Sequence, residues 1–209
     1  MEKIKKIFAH KFFKILKWAF LVLIGLFLIL IIGRIIYRNN LEKINEQVAK
    51  IHNTKLTLDN VMGTNLPPDP GIEADKTVQG IDANNNGIRD DVELAVFAEY
   101  PNSAKTRAVL LQYALALQME VVQPFVDTTI ATEVIREQSR AFVCIGDIFP
   151  RENSQKFDEE TDFLTNFIRD NQFNTKERKD SRELFVEKVR SYSDLDQTLC
   201  DIDVLKLSD

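Results

Sequence analysis

Residues 80–93 read GIDANNNGIRDDVE. Counted from Asp82 as position 1, Asn84 is 3, Asn86 is 5, Gly87 is 6, Ile88 is 7, Asp90 is 9 and Glu93 is 12. That is the pattern D-x-[DN]-x-[DN]-G-x₅-E of a calcium-binding loop. The spacing has a chemical reason. Calcium takes six to eight hard oxygens, and a chain curling around an ion aims alternate side chains inward. Asp82, Asn84 and Asn86 supply those. The chain must then turn sharply, which Gly87 permits. Ile88 offers its backbone carbonyl, Asp90 binds directly or through water, and Glu93 closes the shell with both oxygens. Asp91 falls outside the register and is expected to favour the start of the following helix, at the positive end of its dipole. The plain alternative is an Asn-rich turn that only opens a helix. The complete register favours Ca²⁺. Zinc would want His or Cys, and magnesium rarely takes an all-protein cage.

Such a loop resembles those of EF-hand, dockerin and thrombospondin type 3 proteins, over 12 of the 209 residues. Two departures qualify the likeness. The preceding PPDPGIEADKTVQG cannot form the incoming helix of an EF-hand, and Arg89 stands at position 8, where EF-hands usually carry an aliphatic residue. The longer run PPDPGIEADKTVQGIDANNNGIRDDVE also resembles a segment of uncharacterised bacterial envelope proteins, which implies a location and an ion but no activity.

The elements that would hold this loop follow from charge and apolar spacing. Residues 1–38 carry eight Lys/Arg against one Glu, and residues 39–209 carry 19 against 31. An acidic body of that kind repels phosphate, so nucleic acid is not an expected partner. WAFLVLIGLFLILIIG, residues 18–33, is uncharged, and Ile35, Ile36 and Tyr37 extend it to the roughly 20 residues that span a bilayer. Six lysines precede it, so the amino terminus is expected in the cytoplasm and the rest outside. No A-x-A cleavage site follows, which favours an uncleaved signal anchor over a cleaved secretory signal. Trp18 and Tyr37 sit where aromatic belts form. With no N-x-S/T site in the outer part, the expected setting is a bacterial inner membrane with a periplasmic domain.

The division read from the sequence is a basic cytoplasmic tail (1–17), a transmembrane anchor (18–37), a helical stalk (38–52), a Pro/Gly connector (53–79) and a helical domain (80–209) that opens with the calcium loop. In the stalk, Leu41, Ile44, Val48 and Ile51 form one apolar stripe. Either the stalk lies on its own domain, or residues 41–51 pair two copies as a short coiled coil. Pro67, Pro68, Pro70, Gly63 and Gly71 are expected to break any helix in the connector.

Five helices follow. The first, VELAVFAEY, stops at Pro101. The second is capped by Asn102 or Ser103, with a stripe of Ala104, Ala108, Leu111, Leu115, Met119 and Val122. The third is capped by Asp127, with Ile130, Val134, Ala141 and Val143 inward. Ser154 opens the fourth, with Phe157, Leu164, Phe167 and Ile168. Asn174, with Glu177 three residues on, caps the fifth, with Phe185, Val189 and Tyr192. The fold class is therefore all-α: a single transmembrane helix and stalk, then a helical bundle with one EF-like loop.

Cys144 and Cys200 are the two cysteines. In an oxidising compartment they form a disulfide joining the third of these helices to the tail; the alternative is two buried thiols. No His follows His52, and no nucleotide-binding glycine motif is present. No catalytic motif is found, and two functions stand. One is a membrane-anchored calcium-binding accessory protein acting on an envelope partner. The other is an envelope hydrolase using carboxylates.

Overall fold

The structure is a computed structural model that describes residues 2–190 and 198–208, with side chains from Lys14 onward apart from residue 15. It is all helical, with no strand among the described residues. The helices are α1 (Glu2–Asn53), α2 (Leu58–Met62), α3 (Asp90–Glu99), α4 (Ala104–Val122), α5 (Thr128–Gly146), α6 (Ser154–Gln172) and α7 (Lys176–Val186), with 3-10 turns at Gly71–Asp75 and Val204–Lys206. Two compact units divide at Glu46/Gln47.

The described residues of the first unit are all helical. Within α1 lies one helix long and apolar enough to cross a membrane. Its apolar side chains point outward, Trp18 at 63 % and Tyr37 at 69 % exposure. A soluble protein would not leave such a row in water.

In the second unit α4 is the hub, with α2, α3, α5, α6, α7 and the 204–206 turn all packed on it. The reading of a single stripe on α4 is corrected here. The helix is buried on every side from Arg107 to Glu120, while Val122 is 48 % exposed. A helix surrounded by neighbours has no solvent face to alternate with. Fully buried Leu110, Leu111 and Leu117 each contribute roughly 1.5–3 kcal/mol of transfer free energy. Val143 on α5 is likewise only half-buried; Cys144 and Ile145 beside it are the core residues.

Caps set the boundaries. The Ser103 hydroxyl accepts from the Thr106 N–H at 3.1 Å, and the Asp127 carboxylate from the Ile130 N–H at 2.8 Å. Two caps fall one residue from where the sequence places them. Asn153 caps α6, accepting from the Lys156 N–H at 3.1 Å, so Ser154 is the first helical residue. Thr175 caps α7, because the Asn174 side chain is drawn to Arg178 and Asp75 instead. Helix α7 ends at Val186, before Val189; Tyr192 lies outside the described residues.

The connector is more ordered than its prolines suggest. Thr57 and Asn60 form a reciprocal capping box that starts α2, and Gly63 closes it at φ +70°. The stalk stripe ends inside the second unit: Ile51 is buried, and the Gln47 amide donates to Gln123 Oε1 at 2.8 Å and to the Phe125 carbonyl at 2.9 Å. Leu41, in the first unit, is 41 % exposed. Cys144 on α5 and Cys200 form a disulfide across a Cα–Cα distance of 5.2 Å.

Candidate metal centre

The loop 82–89 folds around its own side chains. Asp82 reaches forward: Oδ1 accepts from the Asn86 N–H at 3.1 Å and Oδ2 from the Gly87 N–H at 2.9 Å. Asn84 Oδ1 accepts from the Asn86 N–H at 3.2 Å, and Asn86 Oδ1 from the Ile88 N–H at 2.8 Å. Both Asp90 oxygens accept from the Ala83 N–H, and the Asp90 N–H closes the loop onto the Ile81 carbonyl at 2.8 Å. Asn85 takes φ +57° and Gly87 φ +86°, left-handed angles that Asn and Gly tolerate best. Gly87 has a second reason to be glycine. A Cβ there would lie 2.7 Å from Leu115 Cδ1 of α4.

Ile88 is wholly buried. Its side chain anchors the loop in the core, whatever its carbonyl does. Asp90 and Glu93 are also buried, at 0 % and 1 % exposure. Glu93 Oε2 accepts from Asn84 Nδ2 at 3.0 Å, and the same amide donates to the Asn65 carbonyl of the connector at 2.9 Å.

Burial pushes the Glu93 carboxyl up; the bond from Asn84 and the nearby Asn86 amide oppose this, and the Asp90 and Asp82 charges add to it. Burial also raises Asp90, against the Ala83 N–H, with Asp82 and Asp91 adding repulsion. Three acids thus crowd one loop. A buried carboxylate without a cation is costly.

Asp82, Asn84, Asn86, Ile88, Asp90 and Glu93 are therefore brought to one loop, and Asn84 touches Glu93 directly. Convergence on a single point is not seen: among the described residues no group of three or more His, Cys, Asp or Glu is arranged to hold a metal ion. The acids of the loop accept instead from backbone and amide N–H groups. As a donor set, three carboxylates, two amide oxygens and a carbonyl match calcium chemistry.

Residues that loop-pattern reasoning passed over hold this site in place. Arg89 is 0 % exposed. It donates to both Asp91 oxygens, at 2.5 and 2.9 Å, and to the carbonyls of Asn171 and Gln172 at 2.6 and 2.9 Å. Those are terminal carbonyls of α6, which lack helical partners and favour a cation. Asp91, expected only to favour the start of α3, is also the counter-ion of Arg89. Arg178 on α7 gathers the connector in the same way: it donates to the carbonyls of Ala74, Thr77 and Val78 and to Asp75. Asn174 Oδ1 accepts from both guanidiniums. Arg107 similarly ties Val61 of α2 to Tyr100 and Pro101 after α3.

A second polar cluster involves His52, which the sequence reading left aside as lying before the domain. Its ring nitrogens face Glu137 at 2.8 Å and Glu133 at 3.0 Å. Lys55 and Arg140 also meet Glu137, and Arg140 meets Asp201 of the tail at 2.8 Å. Glu137 Oε1 faces His52, Glu137 Oε2 faces Lys55 and Arg140, and Glu133 Oε2 faces His52 and Arg136, so this is a polar network within the protein rather than an open ligand set. No spacing rule could have found it, since the partners lie about 85 residues apart.

Compared with family models, curated proteins and solved structures, the chain finds no match.

Proposed function

We propose that the chain is a membrane-anchored binding or accessory protein whose outer domain carries one structural calcium ion at residues 82–93. The observation that carries this reading is the pair of buried carboxyls, Asp90 and Glu93, raised first by burial and then by neighbouring acids, Asp82 and Asp91 for Asp90 and Asp90 and Asp82 for Glu93, in a loop with a complete calcium register. Asp82, Asn84, Asn86 and Glu93 would supply side-chain oxygens, Ile88 its carbonyl, and Asp90 a direct or water-bridged contact. Bound calcium supplies positive charge that offsets their crowding. Arg89 and Arg178 do the rest without it: they dock the loop and connector onto α6 and α7.

In this reading residues 18–37 cross the inner membrane. The lysine-rich tail stays in the cytoplasm and the domain stands in the periplasm. Pairing of two copies through 41–51 would use Leu41 and Ile44 rather than Ile51, which is already buried.

Calorimetry on the full chain in detergent micelles tests the ion. The expected dissociation constant is about 10⁻⁴–10⁻³ M, the range of extracellular modules. Two of the three early ligands, Asn84 and Asn86, are neutral, which lowers the charge count. No heat with calcium at millimolar concentration would sink the reading. The hydrolase alternative needs a carboxylate pair in a cleft, and Asp158 and Asp162 line one beside α6.

A further inference from the structure

Outside the calcium loop, one pocket of about 440 Å³ lies between the end of α5 and the first half of α6. That volume is within the range of small-ligand sites. Its walls are of two kinds. Phe142 and Phe157 contribute aromatic rings, and Asp158 and Asp162 contribute carboxylates one helical turn apart on α6. Among the described residues neither carboxylate has a hydrogen-bond or ion-pair partner. Both are exposed, whereas the buried acids of this domain find donors within it: Glu137 meets His52, Lys55 and Arg140, and Glu120 is bonded by Gln138 and Arg182.

Two further features bear on what the pocket would hold. Thr161, between the two acids and on the same wall, is only 4 % exposed, and its hydroxyl has no hydrogen-bond partner. Arg151 at the pocket edge shows which group suits the rings. Its guanidinium lies 5.8 Å over the Phe157 ring while pairing with Asp147 at 2.9 Å. Phe142, at 42 % exposure, has no such cation among the described residues.

We propose that this pocket binds a guanidinium group on a short apolar stem. A planar cation stacks on an aromatic face and presents several N–H donors at once. Asp158 and Asp162 would accept from two edges of it, and the stem would cover Phe142. Such a group is found on free alkylguanidines and on the arginine side chains of a partner protein.

Calorimetry on the full chain in nanodiscs, with a chelator to remove calcium, separates this site from the loop at 82–93. The probes are butylguanidinium, its neutral isostere butylurea, and a pentapeptide with one central arginine. Butylguanidinium should bind at least about tenfold tighter than butylurea, a difference of about 1.4 kcal/mol. The surface double variant Asp158→Asn/Asp162→Asn should lose that preference and keep its melting temperature. Retained binding of the pentapeptide assigns the site to a partner's arginine; its rejection assigns the site to a free cation. Equal binding of guanidinium and urea, or an unchanged preference in the double variant, overturns the proposal.

Discussion

Single side chains in this domain are held by charge as much as by packing. Glu137 shows the balance. Burial pushes its carboxyl up, but the His52 hydrogen bond, the Arg140 charge and Lys55 outweigh that, and the net direction is below the usual 4.5. A carboxyl lowered in the folded state stabilises at neutral pH and loses that contribution as pH falls through its folded value. The melting temperature should therefore drop on acidification below about pH 4.5, and Glu137→Gln should flatten that acid limb. At neutral pH the same change leaves Arg140 short of a partner at 3 % exposure and should cost about 3–5 kcal/mol. Thermal melts of both proteins from pH 3 to 7 check both effects. Gly80 is a second sensitive position. It sits at φ +70°, and a Cβ there would lie 2.3 Å from Arg89 Cδ. Gly80→Ala should destabilise by more than the roughly 1–2 kcal/mol of left-handed strain alone, because Arg89 must also move. That Asp82, Asn84 and Asn86 turn their side chains back onto one loop was legible from spacing alone, since alternate polar side chains and one glycine are local features of the chain. That Asn84 bonds the Asn65 carbonyl was not, because the connector reaches the loop only through the fold.

Between elements, arginines and one disulfide add to the apolar core around α4. Arg89 joins the start of α3 to the end of α6, and Arg178 joins α7 to the connector. Arg89→Met should cost about 3–5 kcal/mol, since Asp91 and two helix-terminal carbonyls lose their donor. Arg89→Lys should recover little of it, because a single ammonium cannot span a carboxylate and two carbonyls in the fork geometry. Denaturant midpoints of the two variants decide this; full rescue by lysine would reduce Arg89 to a point charge. The disulfide closes a loop across 56 residues of sequence. Reduction, or Cys144→Ala with Cys200→Ala, should remove about 3–4.7 kcal/mol by loop entropy. Helix existence was readable at this scale, because apolar spacing and prolines are local signals. Caps slipped by a residue at α6 and α7, where Asn153 and Thr175 took the positions expected of Ser154 and Asn174. At α7 the reason is tertiary: Asn174 is shared between two guanidiniums.

Across the whole molecule, calcium is expected to act as a staple rather than a switch. A sensor loop needs two helices whose angle changes on binding. Here α3 follows the loop, but the short 3-10 turn Gly71–Asp75 and a run of bends precede it, so no long incoming helix can swing. At tenfold above its dissociation constant, calcium should add about 1.4 kcal/mol of stability. Asp82→Ala or Glu93→Ala should abolish that gain while far-ultraviolet dichroism stays unchanged. A calcium-dependent rise in dye-accessible apolar surface would instead reveal a switch. Orientation is checked by protease digestion of sealed inside-out vesicles, where residues after Tyr37 should be protected. The sequence by itself determined the apolar helix, the all-helical class and the two cysteines that pair. The first two are set by short-range periodicity and composition, which a chain displays without being folded, and the third by there being only two cysteines. Only the tertiary structure decided that α4 is buried all round, that His52 joins the domain, and that Arg89, Arg107, Arg140 and Arg178 collect stray carbonyls and acids. It also decided that Asp158 and Asp162 share a pocket with two phenylalanines. Those outcomes depend on which distant residues the packing of α4 brings together, and no local spacing encodes that.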